Sequence, residues 1–359
     1  MKNSTGIARK VFVCSMAALT IMLCCVEPQP TGAQGQFSGQ WIIEFNSFKS
    51  RPDRVYLSLR YETERGGWSN TSNLVDRNQL QGLTEAQAMG AGTNAQFQIR
   101  RDAGTFNCEG WFRDGKGSGH FVFVPNQSFA GELRSRGYEN PTDEQLFYLA
   151  MGNVSTALID ELKAQGYERS SLEQIVRVGT HGVSINYIRE ISALGYRVGQ
   201  VEKLIRMRDH GVTPDYVRDM QAAGFRDLSA DQLVRARDHG VGPEFIKEIA
   251  DAGFNNLSME ELVRARDHGV GADFIREIRD LGFNNLSMEN FIRMRDHGVT
   301  PRFIKGIREG GFPNASAEEI VRARDHGVTP DYIQRLRSRG MQNLTLDQVI
   351  RLRDNGIDG

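Results

Sequence analysis

Residues 257–283 read LSMEELVRARDHGVGADFIREIRDLGF, and punctuation alone places two helices in them. Ser258 with Glu261 three residues on is a capping box that opens a helix, and the glycine of His268-Gly269-Val270 is the left-handed residue that closes it. A second helix opens at Gly271, where other copies carry Thr-Pro, and stops at Gly282 before the aromatic Phe283. Helices of about ten residues are not stable alone in water, so such a unit has to stack on copies of itself.

Copies are present along most of the chain. His181, His210, His239, His268, His297 and His326 are each 29 residues apart, and the next step lands on Asn355. A second series, Gly137, Gly166, Gly195, Gly224, Gly253, Gly282, Gly311 and Gly340, keeps the same spacing and is followed by Tyr, Phe or, at the end, Met341. The array therefore begins near Asn126 and holds about eight units. The first helix of a unit opens at Thr213-Pro214-Asp215, Thr300-Pro301 or Thr329-Pro330-Asp331, with Thr as cap and Pro in the first helical position. The second opens at Ser229-x-x-Gln232, Ser316-x-x-Glu319 or Thr345-x-x-Gln348. Tyr216, Val217 and Met220 in one helix and Leu262, Val263 and Ala265 in the other mark the buried faces.

Residues 34–125 are different in texture. Trp41-Ile42-Ile43-Glu44-Phe45, Val55 to Tyr61, Phe97-Gln98-Ile99 and Phe121-Val122-Phe123 alternate like strands, and Asp114-Gly115 makes a hairpin between Gly104–Phe112 and Phe121–Val124. Five or six strands are expected, with a short helix from Leu80 to Met89. Fold class is thus α+β: a small antiparallel β domain over 34–125, then an α-solenoid over 126–359.

The first 33 residues are set apart again. Lys2, Arg9 and Lys10 precede an apolar run from Val11 to Val26, and Thr31-Gly32-Ala33 resembles a cleavage site. This predicts a secretory signal peptide, which if retained would act as a membrane anchor. Export to the periplasm or the medium follows. Cys14, Cys24 and Cys25 leave with that segment, so Cys108 remains alone and is expected as a small buried hydrophobe.

The whole chain of 359 residues has 44 Lys+Arg against 45 Asp+Glu. Over 151–359 the balance is 29 to 31, which argues against nucleic acid as the partner, because phosphate binding needs a basic face. No H-E-x-x-H or G-x-S-x-G is present, Gly115-Lys116-Gly117 lacks the hydroxyl a phosphate loop requires, and no cofactor is called for. The repeated histidines sit in successive units a helix diameter of about 10 Å apart, too far to share one zinc, and are expected to cap helix C-termini. Trp41, Trp68 and Trp111 are expected in core or rim packing rather than in a ligand groove.

Arginine supplies the candidate binding residues. Stacking aligns Arg235, Arg264, Arg293 and Arg322 in one row and Arg237, Arg266, Arg295 and Arg324 in another. Pairing of the first row with Asp238, Asp267, Asp296 and Asp325, three residues on, is the competing expectation.

Gly104-Thr105-Phe106-x-Cys108-Glu109-Gly110-Trp111-Phe112, then Phe121-Val122-Phe123-Val124-Pro125-Asn126 and the His-Gly-Val repeats, resemble the extracytoplasmic tail of bacterial β-lactam-sensor-type membrane metallopeptidases. The peptidase helix and membrane spans of that family have no counterpart in this sequence, so the resemblance implies a sensing or interaction role without proteolysis. The expected function is an exported, non-catalytic protein that binds another protein through the repeat surface. A self-associating structural envelope protein is the alternative, with a metal-dependent enzyme last. Departures from the repeat mark places for specificity: Arg302 and Gly306 in one helix, Gly242 and Gly271 in place of the Thr cap. Leu346, Val349 and Ile350 in the last unit are expected to stay partly exposed and to offer a self-association surface.

Overall fold

A computed structural model describes residues 37–45, 53–62, 66–167 and 170–358. The expected signal peptide and its cleavage site lie outside these residues. Seven strands form one antiparallel sheet: β1 (Ser38–Glu44), β2 (Arg54–Glu62), β3 (Trp68–Asp76), β4 (Leu80–Gln81), β5 (Ala91–Arg101), β6 (Gly104–Arg113) and β7 (Lys116–Pro125). Their order is β3-β2-β1-β7-β6-β5-β4. The β6–β7 hairpin turns at Asp114 and Gly115, with φ of 50° and 79°, the left-handed pair that such a two-residue turn requires.

Two details depart from expectation. The helix foreseen from Leu80 to Met89 is reduced to α1 (Glu85–Ala88), capped by Thr84, while Leu80 and Gln81 pair with β5. Strand β3 was not foreseen. Its sequence, WSNTSNLVD, has little apolar alternation because it lies at the sheet's edge and only Val75 reaches the core.

Sixteen helices of nine residues each follow as eight pairs. The first four pairs are α2 (Gln127–Ser135) and α3 (Asp143–Met151), α4 (Thr156–Ala164) and α5 (Leu172–Thr180), α6 (Ile185–Ala193) and α7 (Val201–Asp209), α8 (Pro214–Ala222) and α9 (Ala230–Asp238). The last four are α10 (Pro243–Asp251) and α11 (Met259–Asp267), α12 (Ala272–Asp280) and α13 (Met288–Asp296), α14 (Pro301–Glu309) and α15 (Ala317–Asp325), α16 (Pro330–Ser338) and α17 (Leu346–Asp354). First helices pack on first helices of neighbouring units, and second helices on second helices, giving two layers.

Local chemistry explains the boundaries. Ser229, Ser258, Ser287, Ser316 and Thr345 form reciprocal capping boxes with the residue three positions on. Thr213, Thr300 and Thr329 each accept the third backbone N–H of a helix that begins with Pro. Gly242 and Gly271 supply no side-chain cap, and with φ of −123° and −113° they need none of glycine's freedom. Ala236, Ala265 and Ala323 of the second-layer helices are completely buried.

One continuous core runs from the sheet into the array. Phe147 of α3 is the hinge of that continuity. Its ring stacks on Phe37 at 5.0 Å and meets Tyr61 edge-on at 4.9 Å and Phe123 at 5.3 Å, while itself being 1% exposed. Burying one such ring contributes roughly 1.5–3 kcal/mol. Glycines permit the next contact: a Cβ on Gly152 would come within 2.5 Å of the Gly179 backbone, and one on Gly179 within 2.4 Å of Val154. At the other end Leu346, Val349 and Ile350 are 2–4% exposed. The expectation that they stay open is corrected, because their side chains point back into the preceding unit; Ile357 is the exposed apolar residue there, at 43%.

Candidate protein-interaction surface

The first arginine row is engaged between units. Arg235 lies 2.8 Å from Glu260, Arg264 2.8 Å from Glu289 and Arg293 2.7 Å from Glu318, while Arg322 pairs with Asp347. Arg177 and Arg206 make the same contact with Glu202 and Asp231. Each acid stands in the first turn of the next second-layer helix, where the helix dipole also favours it. The i,i+3 partners expected from sequence, Asp238, Asp267, Asp296 and Asp325, are therefore not used. Packing of successive second-layer helices brings each arginine to the first-turn acid of the following unit instead.

Those aspartates belong to the histidines instead. His181 Nδ1 lies 2.7 Å from Asp209, His210 2.6 Å from Asp238, His239 2.6 Å from Asp267, His268 2.6 Å from Asp296, His297 2.5 Å from Asp325 and His326 2.8 Å from Asp354. Each of these six histidines is at its helix C-cap, but its side chain reaches the next unit rather than its own carbonyls. An arginine–acid ion-pair ladder and a histidine–aspartate hydrogen-bond ladder thus run side by side along the second layer.

The other arginine row lies flat on rings. The guanidinium of Arg237 is 5.1 Å from the centre of Tyr216, Arg266 4.9 Å from Phe245, Arg295 4.7 Å from Phe274 and Arg324 5.2 Å from Phe303. These are cation–π contacts between the two helices of a unit. Arg295 Nε also donates to the Gly269 carbonyl at 3.1 Å, reaching the unit before. Gly269 has φ of 67°; glycine both closes the helix there and leaves the carbonyl open to the arginine. A further pair escaped the sequence reading: Arg279 and Arg308 lie over Phe254 and Phe283 and donate to the Ala252 and Leu281 carbonyls. Their alignment with the aromatic after each Gly was the available signal.

With both rows committed inside the chain, charges on the outside of the first layer stand out. Three outward positions recur per helix, and in α8, α10 and α12 they hold Asp215, Arg218, Asp219; Glu244, Lys247, Glu248; and Asp273, Arg276, Glu277. Each set nets −1. In α14 the set is Arg302, Lys305 and Gly306, netting +2, and α16 adds Arg335 at the position of Gly306. Arg302, Lys305 and Arg335 are exposed, and none has an ion-pair partner among the described residues. Gly306 has a packing cause: a Cβ there would meet Pro330 at 2.4 Å.

The remaining candidates fall into place. Trp41 is wholly buried and donates its indole N–H to the carbonyls of Glu109 and His120, whereas Trp68 and Trp111 are 54% and 49% exposed. Cys108 is buried, and burial pushes its thiol well above the usual range. His120 sits exposed on β7. Among the described residues no three His, Cys, Asp or Glu side chains gather around one point, and no helix is long and apolar enough to cross a membrane. Neither a scan against models of protein families nor a search of curated proteins finds a match to this chain.

Proposed function

We propose that this chain is an exported, non-catalytic interaction protein whose repeat array binds a protein partner, in keeping with the envelope-sensing role that the resemblance implies. The observation that carries this reading is the charge change on the outer first layer. Three successive units present net negative sets, and α14 then presents Arg302 and Lys305 without internal partners. Unpaired surface cations cost little stability when removed, so the fold does not require them. They suit a partner with an acidic patch, where rim charges steer association and select against wrong partners.

The ladders serve the same end. By tying each unit to the next they hold the outer positions at a fixed spacing, and an array of this kind offers an extended surface of repeated geometry. A capture experiment tests the reading: residues 34–359 as bait in an envelope extract, with the Arg302→Glu/Lys305→Glu double variant as control. A short set of acidic proteins retained by the native bait, released by salt and lost with the variant, supports it. An identical retained set with both baits contradicts it.

A further inference from the structure

The sheet ends at β3 in an unusual edge. Strand β3 pairs with β2 over nine consecutive residues with no break in register, and no strand covers its other side among the described residues. Nine residues give roughly 30 Å of edge at about 3.3 Å each. Natural sheets protect such edges with proline, lysine, bulges or very short strands. Between Trp68 and Val75 there is no proline, no charged residue and no bulge. The opposite side of the sheet is protected: β5 is covered by the two-residue β4 and broken by a register shift between Ala91 and Thr93.

The free groups on that edge can be identified. Arg77 N donates to Asp53 O at 3.0 Å, which makes this a hydrogen-bonded pair, and antiparallel pairs alternate along the ladder. Val75, Asn73 and Thr71 therefore bond inward to β2. Asn70, Ser72 and Leu74 turn their N–H and C=O groups to the open side, where Arg54 Nη1 approaches the Leu74 carbonyl at 3.4 Å.

Leu74 on that edge, together with Thr71, Asn73 and Val75 of β3, lines a cleft of about 510 Å³, within the range of built ligand sites. One wall carries Thr71, Asn73 and Leu74; the other carries Asn153, Ser155, the Gly182–Ser184 turn and the first residues of α6. These hydroxyls and amides stand over an apolar floor that includes Leu57, Leu59, Ile99 and Phe106. Charge in the cleft is uneven: Arg54 is matched by Asp76 at 2.8 Å, whereas Arg101 has the neutral Gln79 Oε1 as its hydrogen-bond partner, also at 2.8 Å. Burial lowers the Arg101 guanidinium to about 10 despite the pull of Asp76. A largely desolvated cation beside a neutral acceptor gains from a carboxylate.

We propose that the β3 edge is a strand-addition site for an extended segment of another protein, which hydrogen-bonds along Asn70, Ser72 and Leu74 and sets an Asp or Glu side chain beside Arg101. Main-chain bonds would supply affinity and the cleft would supply selection, as in other cases of strand addition. The edge continues past the cleft to Trp68, so the segment runs through rather than ending in it, and a side-chain carboxylate rather than a chain terminus meets Arg101. This site is separate from the α14 surface and does not depend on it.

The test uses displayed random 12-residue peptides selected on residues 34–359, with the enriched peptides measured by fluorescence anisotropy. The site predicts enriched sequences rich in β-branched residues with one acid, weakened at least tenfold by changing that acid to its amide, by N-methylation of alternate backbone positions, and by Arg101→Gln. Asn70→Pro should weaken them similarly, whereas Asn70→Ala should not; proline is tolerated at an edge whose N–H faces outward. Should Asn70→Pro fail to fold, the N-methylated peptides test the same bonds on the native chain. No enrichment, or binding indifferent to N-methylation, overturns the proposal. So does concentration-dependent dimerisation in sedimentation that Asn70→Pro abolishes, which would make a second copy the occupant.

Discussion

His239 Nδ1 and Asp267 Oδ1, 28 residues apart in sequence, lie 2.6 Å from each other across the junction between two repeats. The same contact occurs six times, and the second-layer arginines form a parallel series with the first-turn acids. Side chains in the histidine series are between about a third and a half exposed, so each rung is a solvent-screened pair worth about 0.2–1 kcal/mol. A double-mutant cycle on His239→Gln and Asp267→Asn should give a coupling in that range. Removing all six histidines should lower the melting temperature by more than any single change while leaving helicity intact, because nearest-neighbour terms in an array accumulate.

Acid should weaken the array. The Arg136 hydrogen bond holds Asp160 below its ordinary 3.8, and that of Arg189, with Gln165 in support, holds Glu161 below 4.5. Backbone and hydroxyl bonds from Ser258 do the same for Glu261. Carboxylates depressed in the folded state contribute stability that is fully present above their unfolded values and is lost as pH falls below them. Urea unfolding should therefore show a loss of stability as pH falls below about 4.5. Glu161→Gln should flatten part of that decline.

Two glycines should respond in opposite directions. Gly306→Ala would improve helix propensity by about 1 kcal/mol, yet its Cβ meets Pro330 at 2.4 Å. Overpacking costs about 1–3 kcal/mol, so the net change should be destabilising. Gly271 has open space around it and caps nothing. Gly271→Ser should stabilise by a few tenths to about 1 kcal/mol through a new cap and a stiffer unfolded chain. Thermal melts of both variants check the sign.

Phe147→Ala should cost about 3–5 kcal/mol and should do more than destabilise. Its ring is the shared contact of Phe37, Tyr61, Phe123 and α3. Hydrogen exchange should show the sheet and the first helices losing protection together, with α12 to α17 little changed.

Helix boundaries were legible in the sequence because each is fixed locally: Ser258 and Glu261 satisfy each other's backbone groups, and Gly269 adopts a conformation that other residues avoid. The partner of Arg235 was not legible. Asp238 stands three residues on and Glu260 twenty-five, and only the stacking of α9 on α11 brings the distant acid to the arginine. Strand β3 was missed for a related reason, since an edge strand buries one residue, Val75, and so carries almost no periodic signal. The α14 cations were visible as departures from the repeat, but their significance depends on knowing that the other arginines are already paired.

The most direct test of the account separates structural arginines from binding ones. Capture from envelope extract is compared for two variants of the 34–359 chain: Arg302→Glu/Lys305→Glu/Arg335→Glu on the outer face, and Arg235→Gln/Arg264→Gln/Arg293→Gln in the ladder. Loss of the partner with the first, together with retention and a lowered melting temperature with the second, is the predicted result. Loss of the partner with a fully folded ladder variant, and undiminished capture by the outer-face variant, would contradict the account and return the binding role to the arginine row.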